Sequence, residues 1–222
     1  MLHDALLIIR KDLKIEFRSK VTTNQVAPMA IVILILFAFA LDTHQHKLIL
    51  AAPGLFWVAV LFSMSLAIHR SFSIETSSST RDGLRLLGLD PGGIFLGKVI
   101  VLTIEMFVLE IILGFGIVVL YSATLHNYFL LISITILSTL GLAAAGTIFG
   151  SLASSFKTKD TLLPLLFLPI SAPVLLSATK AFQTELGTVI GSSHPWIRIL
   201  GVFAVVYLTV GVLAFGPLLE EQ

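Results

Sequence analysis

Six long apolar stretches, separated by short polar breaks, set the pattern of this 222-residue chain. They cover about residues 22–41, 48–69, 97–121, 128–153, 161–178 and 196–219. Most reach the ~20 residues that a helix needs to cross a hydrocarbon layer. In lipid a crossing segment must satisfy its own backbone groups, so each stretch is predicted as a helix. The first opens on the polar run Thr22, Thr23, Asn24, Gln25 and is strongly apolar only over VAPMAIVILILFAFAL. The fifth is short and carries Pro164, Pro169 and Pro173, which predict a bent or locally unwound span. No internal repeat and no low-complexity segment stands out.

Ahead of the first span, MLHDALLIIRKDLKIEFRSK repeats Leu2, Leu6, Ile9, Leu13 and Phe17 at helical spacing. Arg10, Lys11, Lys14 and Arg18 largely occupy other faces. The pattern predicts residues 1–20 as an amphipathic helix in the membrane interface, its cations toward lipid phosphates. Such a helix serves as a plain anchor or as an elbow that transmits motion into the first span. The charged start carries no short apolar core followed by a cleavage site, so the first span reads as a retained anchor.

With 56% hydrophobic and 12% charged residues and a mean hydropathy of +1.00, the chain has too little polar surface for a soluble globule. It reads as an all-α integral membrane protein, a single domain over 1–222. The net charge of +1 gives no reason to expect nucleic acid, and the absence of cysteine excludes disulfides and thiolate metal sites. Sorting Lys and Arg by connection assigns the sides. Arg10, Lys11, Lys14, Arg18, Lys20, Arg70, Arg81, Arg85, Lys98, Lys157 and Lys159 fall on the N-terminal side, against Lys47, Lys180 and Arg198 on the other. Eleven against three predicts both termini in the cytoplasm.

The segment LDPGGIFLGKVIV holds Gly92, four residues, then Gly97-Lys98, which is most of a phosphate-binding loop. That motif needs Ser or Thr after the lysine to ligate magnesium and a buried strand before the loop. Val99 follows here, and the upstream residues are polar and helix-like, so the chain is not expected to bind ATP itself. The cytoplasmic connection from Arg70 to Pro91 is the longest polar segment. In it Ser79 and Asp82 have the spacing of a capping box, Leu84, Leu86 and Leu87 supply an apolar edge, and Gly88 is placed to end a short helix. Asp90 and Pro91 are the expected N-cap and first residue of the third span. Residues 92–98 then read as the turn by which the chain re-enters the membrane, with Lys98 facing phospholipid head groups. A short amphipathic helix in this position docks a soluble partner or is an ordinary surface helix.

Glu105 and Glu110 fall near the middle of span three, where an ionisable group usually has a task. Five positions apart, they diverge by roughly 140° and cannot form one carboxylate pair. At least one should face the bundle interior, Glu110 by preference. Gly146 and Gly150, with Gly141, Ala145, Ala153 and Ser154 nearby, have the spacing that permits close helix contact. No HExxH, GxSxG, CxxC or clustered aspartate motif offers a catalytic or metal site.

The segments KDLKIEFRSK, RSFSIETSSSTRDGLRLLGLDPGGIFLGK and GTIFGSLASSFKTKDTLLPLLFLPISAPVLL resemble the heme exporter protein B (CcmB) permeases of cytochrome c maturation. The likeness runs over essentially the whole chain in matching order. It implies an ABC-2-like permease of six transmembrane helices in the bacterial inner membrane, with the N-terminal interfacial helix and a cytoplasmic coupling helix. It further implies heme as the substrate of the complex, ATP bound by a separate CcmA-like ATPase, and CcmC-like and CcmD-like membrane partners. A CcmE-like periplasmic chaperone would receive the heme, and two ATPase subunits would require a homodimer or an equivalent pairing. The ATPase-docking set it implies is Phe72, Glu75, Asp82, Gly83, Leu84, Leu86 and Leu87, and the histidines for heme contact are His126 and His194. Whether heme crosses through this subunit, or ATP hydrolysis instead releases the heme-loaded chaperone, stays open. A permease for a lipid or a drug, and a membrane enzyme, are the competing readings.

Overall fold

In a computed structural model of the chain, residues 1–19, 22–40, 45–75, 88–121, 127–154 and 159–220 are described, and they form helices joined by short connections. The α-helices are α1 (Leu2–Ser19), α2 (Ala27–Ala40), α3 (Gln45–Glu75), α4 (Pro91–Tyr121), α5 (Tyr128–Ser154), α6 (Lys159–Glu185) and α7 (His194–Glu220). Helices α3 to α7 are each long and apolar enough to cross a membrane. No strand occurs among the described residues.

The first expected span differs from the other five. Residues Thr22–Val26, the polar run, make a π-helical turn, and only the 14 residues of α2 continue as α-helix. At 1.5 Å per residue α2 is about 21 Å long, short of the ~30 Å hydrocarbon layer. Only together with α1, from which it is bent by 52°, does it reach the length and hydropathy of a crossing segment. The fifth span keeps the helix predicted for it. Instead of unwinding, α6 runs as one helix through Pro164, Pro169 and Pro173. Each proline removes one donor but fixes φ near the value a helix already uses, and in a packed bundle the bonds on either side hold the segment.

Helix α5 is the centre of the bundle and packs on α3, α4, α6 and α7. Its small residues make this possible: Ala143, Ala144 and Ala145 are fully buried. A Cβ at Gly150 would come within 2.6 Å of the Phe72 ring, and one at Gly146 would run into Ile68. The partner that the sequence could not name for this glycine pair is therefore α3. At Gly141 the close neighbour is Phe203 of α7.

The two ends of the bundle differ in character. At one end the start of α4 meets the end of α7, where Phe95 packs on Gly211 and lies 5.5 Å from Phe215. The last turns of α3 and α5 gather there too, and α1 lies along the start of α4. Toward the other end Phe56, Trp57 and Phe182 form an aromatic cluster with centroids 5.1 to 5.4 Å apart. Tyr121 donates to the Leu34 carbonyl at 2.7 Å and ties the far end of α4 to α2.

Candidate functional site

Helix α4 begins where the sequence placed it. Gly88 sits at φ 57°, in the left-handed region that glycine adopts without cost. The Asp90 carboxylate accepts the Gly93 N–H at 2.7 Å, the bond of an N-cap, and Pro91 is the first helical residue. The Asp90 N–H itself donates to Asp4 of α1 at 3.3 Å, and the Met1 ammonium donates to the same carboxylate at 3.2 Å. These two donors, the ammonium first, hold the Asp4 carboxyl below the usual carboxylate range. One acidic side chain thus pins the start of α1 to the start of α4.

From that pin α1 lies along α4 on the face that carries Met1, Ala5, Ile8, Asp12 and Glu16, spaced three or four residues apart. Gly93 and Gly97 receive it. A Cβ on Gly93 would lie 2.7 Å from the Met1 carbonyl oxygen, and one on Gly97 would lie 2.7 Å from Ile8 Cβ and 3.0 Å from the Ala5 carbonyl oxygen. Only bare backbone permits this approach. The expected turn over residues 92–98 is therefore absent: the glycines are the first two turns of α4 and form the bed of α1. Lys98 is likewise not at lipid head groups. It is 2% exposed, with Nζ 4.8 Å from the centre of the Phe72 ring, 3.4 Å from Ser71 Oγ and 3.9 Å from Asp12 Oδ2. Its alkyl stem covers apolar surface and only its tip needs polar company. Beyond it Arg70 closes the joint, donating to Glu16 at 2.9 Å and to Ser19 at 2.7 Å.

The outward face of α1 keeps the expected character. Leu2, Leu6 and Phe17 of the predicted apolar stripe are exposed, while Ile9 and Leu13 are half-buried. The same helix thus presents apolar side chains away from the bundle and a small, acidic seam toward it.

Phe72 is buried rather than surface-displayed, its ring between Lys98 and Gly150. It braces the joint from α3. Asp82, Gly83, Leu84, Leu86, Leu87 and His126 lie outside the described residues, as does the side chain of Glu75. The ends of that connection are nonetheless placed: it leaves α3 at Glu75, five residues past Arg70, and returns through Gly88, two residues before Asp90. Both ends adjoin the α1 joint. His194 is exposed at the start of α7, with Nδ1 2.9 Å from Ser192 Oγ. No group of three metal-ligating side chains occurs among the described residues.

The two intramembrane carboxyls part company, as their angular divergence requires. Glu105, two helical turns beyond Lys98, is half-buried. Glu110 is 3% exposed, and Thr139 of α5 donates to its Oε1. Sequence reasoning missed the α1 bed. The signal was Gly93-x-x-x-Gly97, the same small-residue spacing that was read correctly at Gly146 and Gly150, here obscured by the likeness to a phosphate loop.

The profile of the family described as CcmB protein matches residues 3–221. Heme exporter protein B of Haemophilus influenzae is 25% identical over 218 residues, covering 97% of this chain and 96% of the relative. Its namesake in Pseudomonas aeruginosa is 27% identical over 221 residues, covering 95% and 94%. The namesake of Escherichia coli K12 matches a shorter stretch, 29% identical over 92 residues, 41% of this chain and 42% of the relative. An all-helical bundle with five helices fit to cross a membrane, matched by the family profile from residue 3 to residue 221, identifies the chain as a multi-pass membrane protein of the CcmB family.

Proposed function

We propose that this chain is the membrane subunit of an ATP-driven complex that exports or hands on heme for c-type cytochrome assembly. The observation that carries the proposal is the joint itself. Asp4, Gly93, Gly97, Asp12, Lys98, Glu16 and Arg70 fasten one amphipathic helix to the end of α3 and the start of α4, the two helices joined by residues 76–87. A force applied to that connection by a docked partner reaches α1, α3 and α4 together. A separate ATPase chain is the reading supported by the glycine-lysine segment that resembles a phosphate loop, since α1 lies against Gly93 and Gly97 where nucleotide would need a cradle.

In this reading the joint faces the cytoplasm, as the distribution of Lys and Arg favours, and the membrane is the bacterial inner membrane. Leu84, Leu86 and Leu87 anchor the ATPase subunit, with Glu75, Asp82 and Gly83 beside them; Phe72 acts from beneath, as a brace. The permease pairs with a second copy or an equivalent half, and CcmC-like, CcmD-like and CcmE-like proteins complete the heme route. The names of the relatives support heme as the cargo.

Replacement of both Leu84 and Leu87 by aspartate tests the docking. Surface substitutions usually change stability by no more than about 0.5 kcal/mol, whereas a docking anchor costs more than about 1 kcal/mol of affinity when truncated. Membrane insertion and protein level should stay unchanged while ATPase co-isolation and c-type cytochrome formation both fall. If both persist, the connection is not the docking element.

A further inference from the structure

Glu110 stands apart from the joint. Twelve residues along α4 from Lys98, it lies about 18 Å deeper in the bundle. Thr139 satisfies Oε1, but Oε2 is buried and has no hydrogen-bond partner among the described residues. A buried acceptor left unpaired is costly, so its retention calls for a ligand or a task. Glu110 lines a recess of about 160 Å³ between α3, α4, α5 and α6. The walls are otherwise nearly all apolar, with Phe56, Phe107 and Phe182 at the back. At the rim are Ile111, Ile132 and Tyr128, which are 60%, 49% and 64% exposed. The recess therefore opens sideways between α4 and α5, toward the bilayer.

We propose that this recess is an intramembrane binding site for a bilayer-dissolved molecule with an apolar body and one hydrogen-bond donor, a hydroxyl or N–H, which Glu110 Oε2 accepts. The walls set the size. An apolar cavity of about 150 Å³ accommodates benzene, so a moiety of roughly six carbons fits and a whole porphyrin does not. The lining sets the polarity: with Thr139 committed to Oε1, a single donor completes the carboxyl, and further polar groups on the ligand would find mostly apolar walls. Gly114 sets the access. A Cβ there would meet nothing within 4 Å, so the glycine keeps space open on the recess side of α4 without being needed for helix contact. The inference stands on these residues alone and does not depend on heme as cargo.

The test uses the full chain in phospholipid vesicles and a membrane-partitioning carbodiimide, dicyclohexylcarbodiimide. The Glu110 carboxylate adds to the central carbon of the carbodiimide while a proton from the medium passes to nitrogen, so every atom of the adduct is accounted for and it is mapped by mass spectrometry. Labelling should fall on Glu110, should be absent in Glu110→Gln, and should be weak with a water-soluble carbodiimide. 1-Hexanol should suppress it at about fivefold lower concentration than methyl pentyl ether, which has the same heavy-atom count and no donor, as one added hydrogen bond requires. Gly114→Leu, which fills the recess and leaves Glu110 in place, should cut labelling about tenfold, the weight of ~1.4 kcal/mol in access. Equal protection by the alcohol and the ether would show a void without donor recognition, and labelling confined to Glu105 or unchanged by Gly114→Leu would remove the site. The alcohol–ether comparison uses the unaltered chain, so it decides the matter even if a variant fails to fold.

Discussion

Replacing Gly97 with leucine is expected to lift α1 from its bed while the remaining bundle stays assembled. The added side chain starts from a Cβ 2.7 Å from Ile8 Cβ and 3.0 Å from the Ala5 carbonyl oxygen. The second neighbour is backbone and cannot rotate aside. Overpacking of this kind costs about 1–3 kcal/mol, which raises the detached population of α1 by roughly 5- to 150-fold. Helix α1 packs mainly along α4, whereas α5 holds α3, α4, α6 and α7 together, so the loss stays local. The chain has no cysteine, and Ile8 is 2% exposed, so an Ile8→Cys reporter is unique and shielded. Maleimide labelling of that thiol should be slow in the otherwise native protein and rise by about tenfold or more with Gly97→Leu. Labelling that stays slow would mean that the glycine does not govern the contact.

The second large effect is at Lys98. Asp12→Ala removes a carboxylate 3.9 Å from a cation that is 2% exposed. Breaking a buried ion pair costs about 3–5 kcal/mol, because the remaining charge cannot return to water. The separation of 3.9 Å, and the support Lys98 keeps from Ser71 and the Phe72 ring, put the loss near the lower end of that range. Lys98→Met should cost less than Asp12→Ala, since Asp12 is partly exposed and retains Lys11 at 3.0 Å. The double replacement Asp12→Leu with Lys98→Met should recover most of the loss, as paired apolar groups of similar volume often do. Thermal unfolding of the purified protein in detergent, read across the four variants, checks this order. A double variant that loses the sum of the two single losses would show that the two side chains are not coupled.

How far the sequence carried the reading follows from what each residue must satisfy locally. The crossing helices were legible because the bilayer dictates length and polarity, and the N-cap at Asp90 was legible because it needs only its own next three residues. That α6 would not unwind at its prolines was less legible, since a proline's effect depends on the neighbours that hold the segment, and α5, α3 and α7 flank this one. Thr22–Val26 misled in the other direction: a polar run was counted into a span that it interrupts with a π-turn. At Glu110 the sequence supplied the interior position, and the divergence of 140° from Glu105 forced the two apart. Lys98 was misplaced because a lysine near the start of a span usually meets lipid head groups, and only the contact with Asp12, 86 positions earlier, overrules that preference. Long-range pairing of this sort is invisible to spacing within one helix.

The central claim is that this chain is the membrane subunit of a heme-delivering, ATP-driven complex, and covalent heme is the direct readout. In cells deleted for the gene, heme-stained c-type cytochromes should be lost while total heme and membrane growth on other respiratory routes persist. Expression of the intact chain should restore them, and expression of the Gly97→Leu form should restore them poorly. A deletion strain that assembles c-type cytochromes at the normal level would contradict the account.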